Sequence, residues 1–338
     1  MARQGSSANR LYQFSLARPI LVPLVLLLIA VVLRVVDIFA LPLAEATGEA
    51  FLHKALGFVL VLAYLWAVGQ PLATIGLHGR FVGRAVSIGA VGMVLVLLFA
   101  FGLQLGLLRA AGEPAALALA AIDNKTGLAR AGWGFALWLF LGNVVNSFME
   151  EGLFRGIMLT HFRRRLSPWR ANLLQGLLFG LWHLAWPIWR LAYGHADLAA
   201  VASESITIVL ASGVSGLAYG YLFLKTDSLW APWIAHTISN TTLNLLHIRT
   251  AAGLDAGAGL LYPMLGIGYL GLLVWTKVWA RWLRMPELEP WGASSEGGGM
   301  PGPSRRTRGR QRRTDGSRVN DQIPDKVGGF DGYAAYTR

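Results

Sequence analysis

Glu150, Glu151 and Arg155 place three charges within six residues of an otherwise apolar stretch, NSFMEEGLFRGIM, Asn146 to Met158. One charge at the centre of a bilayer costs ~2.5–3.5 kcal/mol on insertion scales, so three together need a use. On an α-helix, residues four apart share a face and neighbours diverge by ~100°. Glu151 and Arg155 are therefore expected to pair. Glu150 is expected to point elsewhere, along a stripe with Asn143 and Asn146. A salt-bridged helix contact without chemistry fits the same pattern.

Two more apolar stretches carry isolated polar groups. LLFGLWHLAW puts His183 one turn after Phe179, with Asn172 and Gln175 continuing the polar side. WIAHTISNTTLNLLH puts His236, Asn240 and Asn244 at four-residue spacing on one face, with His247 close to that line. Such groups also serve as hydrogen bonds between packed helices. Depth argues for a shared use: at ~1.5 Å per residue, Glu150, His183 and His236 all fall roughly 10–18 Å below the same surface.

A carboxylate beside two histidines can deprotonate a water, bind a metal or pass protons. Asn and His can donate hydrogen bonds to a developing oxyanion. Zinc held by Glu150, His183 and His236 is compatible with the residue types. The H-E-x-x-H signature and the Glu-x-x-His of di-iron bundles are both absent, as is the G-x-S-x-G of serine hydrolases.

The elements that must position these residues are apolar spans. The chain has 338 residues, 54% hydrophobic and 14% charged, where soluble domains carry about 25% charged residues. The pattern predicts an all-α, polytopic transmembrane bundle. About eight spans are expected, at roughly 19–40, 51–69, 84–108, 132–159, 171–192, 199–224, 229–247 and 258–280, each near the ~20 residues that cross the hydrocarbon. With the N-terminus inside, Arg3, Arg10, Arg18, Arg80, Arg84, Arg163, Arg164, Arg165, Arg170, Lys225, Lys277, Arg281 and Arg284 lie at cytoplasmic ends. Arg109, Lys125, Arg130, Arg190 and Arg249 lie outside. That bias of thirteen to five predicts both termini in the cytoplasm.

Ala44–Glu45–Ala46 resembles a signal cleavage site, but the preceding apolar region is too long and contains Arg34 and Asp37 one turn apart. A transmembrane domain is expected over 1–285. Residues 286–338 read as a disordered basic Gly/Pro/Arg-rich cytoplasmic tail, six of nine residues from Arg305 to Arg313 being arginine. The +12 charge lies largely beside apolar segments and does not indicate a nucleic-acid partner. No cysteine is present, so there is no disulfide or thiolate metal site. The Arg-, Ala- and Gly-rich composition hints at a GC-rich bacterial genome, and the expected location is a bacterial inner membrane.

Taken in order, Glu150-Glu151-x-x-x-Arg155, Phe179-x-x-x-His183 and His236-x-x-x-Asn240 resemble the motifs of the CPBP family, the CAAX-processing and bacteriocin-processing intramembrane proteases also called ABI proteins. Phe154-Arg155-Gly156 is typical of them too, and the resemblance covers about residues 130–250. It implies a catalytic set of Glu150, His183, His236 and Asn240, supported by Glu151, Arg155 and Phe179. Glu150 would activate water as general base, with His183 orienting it, while His236 and Asn240 would stabilise the oxyanion. Glutamate-type members need no cofactor, whereas a metallo-type would use zinc. Asn240 is similar to the CAAX prenyl endopeptidase branch, which cleaves after a prenylated cysteine. The partners implied are membrane lipid and a peptide or lipidated protein substrate. Two other readings of the same residues are a non-catalytic immunity or assembly factor and a proton-coupled transporter. The transporter is disfavoured by the lack of an inverted repeat.

Overall fold

The computed structural model describes residues 4–41, 47, 50–122, 129–130, 132–255 and 258–293. The described residues of Met1–Ala293 belong to one compact unit, mostly helical. An amphipathic helix α1 (Gln4–Ala17) precedes α2 (Leu21–Val35), which runs on into a π-helical turn, Val36–Ala40. Then come α3 (Leu52–Ala67), α4 (Val82–Ala110) and α5 (Trp133–Glu150). The last continues as a π-helical segment over Glu151–Leu159 and ends at Phe162. After it follow α6 (Pro168–Trp182), α7 (Ala185–Ala192), α8 (Leu198–Thr226), α9 (Trp230–Leu245) and α10 (Ala258–Trp282).

Four helices are long and apolar enough to cross a membrane: Leu21–Ala40, Val82–Ala110, Leu198–Thr226 and Gly259–Trp282. In hydrocarbon each backbone amide needs an internal partner, which a helix provides. The outward faces of these four are apolar: Leu28, Leu98, Leu210 and Val274 are each more than 60% exposed. Water would oppose such a surface and lipid favours it, so the chain is an integral membrane protein. Local signals set the boundaries. Ser167 accepts from the Arg170 amide with Pro168 in the first turn of α6, and Asp197 accepts from the Ala200 amide at the start of α8.

The interior divides into two apolar clusters. One joins α2, α3, α6 and the π-helical part of α5. The other joins α4, the middle of α8, α9 and α10. Small residues bring α6 and α8 together. A Cβ on Gly220 would stand 1.8 Å from the Asn172 Oδ1 atom, and Asn172 donates to the Leu217 carbonyl at 3.0 Å. Gly220→Ala should therefore lose stability despite alanine's better helix propensity. An overpacking cost of ~1–3 kcal/mol, read as a lower unfolding midpoint in detergent, is the expected result.

Three boundaries differ from the expected spans. The stretch 171–192 is not one helix: α6 stops at Trp182, because the Pro187 ring would clash with the His183 carbonyl in a continuous helix. The stretch 229–247 leaves the helix at Leu245, and His247 lies in a strand. Residues expected to begin the disordered tail are instead packed. Leu288 and Trp291 are buried, and their amides donate to the Leu224 and Thr160 carbonyls. Glu287 pairs with Lys225 at 2.6 Å, and Trp291 packs against Tyr12, Tyr64 and His161. Tail residues 294–338, the Ala44–Ala46 motif, Arg3 and Lys125 lie outside the described residues.

Two small antiparallel sheets are formed by segments after α4 and after α9. Strands β1 (Ala116–Leu119), β4 (Leu246–Thr250) and β5 (Gly253–Leu254) lie side by side, and β2 (Ala121–Ile122) pairs with β3 (Ala129–Arg130). Asp255 clips the sheet, accepting from His247 Nδ1 at 2.5 Å and from the Ile248 amide at 3.2 Å. That carboxylate holds the His247 proton more tightly than in a free histidine, against the opposing effect of burial. A raised folded-state affinity stabilises the fold below the ordinary value of ~6.5, and the gain is lost as pH rises through the raised value. Protection of the Ile248 amide from hydrogen exchange should therefore fall as pH rises above neutrality. Asp255→Asn should remove this dependence.

Candidate active site

Glu150 is the last residue of the regular part of α5, and Glu151 the first of the π-helical segment. The expected divergence of these neighbours does not hold for their carboxylates, which reach the same imidazole. His236, on α9, donates from Nδ1 to Glu151 Oε1 at 2.7 Å, and its Nε2 faces Glu150 Oε2 at 3.6 Å. The π-helical segment departs from α-helical phase at this position. The other Glu150 oxygen, Oε1, accepts from Trp182 Nε1 at 2.9 Å. Oε2 has no hydrogen-bond partner among the described residues, although Glu150 is only 1% exposed. One carboxylate oxygen is thus fixed and the other is buried without a hydrogen-bond partner.

Glu151 pairs with Arg155 at 3.0 Å as expected, so a single carboxylate oxygen serves both Arg155 and His236. The Arg155 guanidinium also donates to the Gly216 carbonyl at 3.2 Å and stacks on Phe179 at 4.3 Å. Gln175 donates to the same carbonyl at 2.9 Å and to Asn172 Oδ1 at 2.7 Å. Asn172 and Gln175 therefore tie α6 to α8 behind the site. Phe179 is central to the packing: its ring meets His183 edge-on at 4.9 Å and His236 at 5.9 Å.

His183 stands where α6 breaks. Its Nδ1 donates to the Phe179 carbonyl at 2.8 Å, leaving Nε2 for other partners. His183, His236 and Asn240 all line one cavity of about 560 Å³ between α8, α9 and α10, with Tyr219, Ser239 and Tyr269 among its other walls. The remainder of the lining is mainly apolar. Glu150, Glu151, Arg155, Phe179, His183, His236 and Asn240 are thus gathered around one place. Two other parts of the expected stripes are not. Asn244 donates to Asn143 at 3.3 Å, which binds α9 to α5, and His247 belongs to the sheet.

Sequence reasoning missed Trp182, the donor to Glu150, although it adjoins His183. It also missed Tyr219, which stacks on His236 at 4.9 Å. An aromatic residue in an apolar run gives no signal of its own. Arg34 stood out only as an obstacle to a signal peptide, yet its guanidinium lies 3.8 Å from Glu150 Oε1.

The placement does not fit zinc held by Glu150, His183 and His236. Among the described residues no three His, Cys, Asp or Glu side chains are grouped to hold a metal. A guanidinium also stands 3.8 Å from the Glu150 carboxylate.

Among curated proteins none matches the chain. Residues 132–242, the segment that holds all the ordered motifs, match the family model of Rce1-like, type II CAAX prenyl endopeptidases, in agreement with the resemblance those motifs carry.

Proposed function

We propose that the chain is an intramembrane endopeptidase that hydrolyses a peptide bond of a membrane-associated, prenylated CAAX-type substrate with water activated by Glu150. The observation that carries this reading is the buried, unpartnered Glu150 Oε2 atom. It lies beside His236 Nε2, and His236 itself walls the cavity together with His183 and Asn240, all within the family-matched segment.

In the reaction, Glu150 takes a proton from water while His183 Nε2 orients it. The resulting hydroxide adds to the scissile carbonyl carbon. The Asn240 amide, and His236 when Nε2 carries a proton, donate to the oxyanion. Collapse of the tetrahedral intermediate breaks the C–N bond. Glu150 returns its proton to the leaving amine, and a new carboxylate remains on the other product. Glu151 and Arg155 hold His236 in orientation, and Phe179 separates the two histidines. No acyl-enzyme forms, and no step needs a metal. The apolar walls suit a lipid chain carried beside the peptide.

The same reading places the chain in a bacterial inner membrane, with about eight crossings and both ends cytoplasmic, the orientation favoured by its flanking arginines. Beyond the packed helices, the basic tail would be a tether or lipid-binding segment.

The test is purified protein in detergent, offered matched CAAX-terminated peptides with and without a prenyl group, in the presence and absence of a zinc chelator. Cleavage of the prenylated peptide in both conditions is the expected result. Turnover that disappears with the chelator would overturn the metal-free mechanism, and no turnover of any peptide would overturn the substrate assignment.

A further inference from the structure

A second buried polar network lies outside the family-matched segment and ends on the same glutamate. Its residues come from α2, the turn after it, and α3. Arg34, Asp37 and His53 are respectively 5%, 0% and 2% exposed, so each needs partners inside the protein. Asp37 Oδ2 accepts from the His53 backbone amide at 2.9 Å and from its Nδ1 at 2.7 Å. That fixes the ring and its tautomer and leaves the Nε2 lone pair outward. Arg34 meets this lone pair at 3.4 Å through its NH1 atom. The same NH1 atom lies 3.8 Å from Glu150 Oε1. The guanidinium also sits over the Trp182 ring, 4.4 Å from its centroid, and Trp182 is the donor to Oε1.

Arg34 and Trp182 therefore act on one and the same oxygen of Glu150. A cation facing Oε1, together with an indole N–H bound to it, turns the carboxylate so that Oε2 is the oxygen left without a hydrogen-bond partner. The cation does not choose its own position: His53 holds it from behind, and Asp37 holds His53. A buried charge with one strong partner is costly, and here the cost is shared between the Glu150 carboxylate, the imidazole lone pair and the indole face.

We propose that Arg34 is a positioning residue for Glu150, set in place by the Asp37–His53 pair, and that it keeps one carboxylate oxygen occupied so that the other meets the attacking water. This rests on Glu150 being the base proposed above. Arg34 is not among the described residues that line the cavity, so it acts on the chemical step rather than on substrate capture.

The experiment compares wild type with Arg34→Gln, Arg34→Lys, Asp37→Asn and Glu150→Gln, using a fluorogenic farnesylated CAAX-terminated peptide. Only the monodisperse, folded fraction is assayed, and unfolding midpoints are recorded in parallel. Misplacing a reacting group costs ~10²-fold, so kcat should fall by about that in Arg34→Gln while KM stays within about twofold. Arg34→Lys keeps the charge and should recover part of kcat. Asp37→Asn should fall between Arg34→Gln and wild type. A merely structural role would lower the midpoint but leave kcat per folded molecule unchanged, and that result overturns the inference. Equal activity of Arg34→Gln and wild type, with Glu150→Gln inactive, also overturns it while sparing the proposed base. Retained cleavage by Glu150→Gln, or no cleavage by wild type, would instead overturn the reading on which it rests.

Discussion

Glu150→Gln is expected to abolish peptide cleavage by the folded protein, at some loss of stability because buried Arg34 loses its carboxylate partner. Glutamine has nearly the same shape and can still accept from Trp182 Nε1 through its amide oxygen. What it loses is the unpartnered basic oxygen at 3.6 Å from His236 Nε2. A positioned general base is worth ~10²–10⁴-fold in rate, so kcat should drop by that much or more. KM should change little, because Glu150 lies behind His236 and is almost fully buried. The assay is single-turnover cleavage of a prenylated peptide by enzyme in excess, which separates the chemical step from product release. Cleavage near the wild-type rate would remove Glu150 from the mechanism and turn attention to His183.

Glu151→Gln should act on stability and activity together. Arg155 is fully buried, and the Glu151 carboxylate is its ion-pair partner at 3.0 Å. Removing one partner of a buried pair costs ~3–5 kcal/mol, because the other charge is left uncompensated. The unfolding midpoint should therefore fall sharply, and in vivo the variant should be scarce in the membrane. Adding Arg155→Met removes the stranded charge and should restore part of that stability. It should not restore cleavage, since His236 Nδ1 would still lack the carboxylate that holds its ring. Arg155→Lys is not a mild change either. A single ammonium cannot reproduce a fork that reaches Glu151 and the Gly216 carbonyl while lying flat on Phe179. An Arg155→Met/Glu151→Gln protein that cleaves at the wild-type rate would show that His236 needs no such anchor.

The helices were legible in the sequence because apolar runs of twenty or so residues leave the backbone few alternatives. Glu150, His183 and His236 could be grouped because charges and imidazoles are conspicuous in such runs, and a common depth linked them. What could not be read was angular. Glu150 and Glu151 were separated by α-helical arithmetic, yet both carboxylates reach His236 at the point where the winding becomes π-helical. The break before His183 was visible as Pro187, four residues on, but its consequence depends on where the preceding helix ends. Arg34 and His53 were hidden for another reason. Their partners, Glu150 and Asp37, come from different helices, and no spacing rule connects residues 34 and 150. The strap at 287–291 was masked by its composition, where Pro and Glu outweigh one leucine and one tryptophan.

That strap also constrains how the chain is threaded. Trp291 rests on Tyr12 of the first helix, while its amide is held by Thr160. Two segments far apart in the sequence thus meet. A path that leaves a bilayer surface and returns to it must traverse the bilayer an even number of times. With the Tyr12–Trp291 contact at such a surface, as in the proposed topology, the crossings between the two residues would be even in number. On the proposed topology, a reporter fused ahead of Tyr12 is expected to share its compartment with one fused just after Ala293.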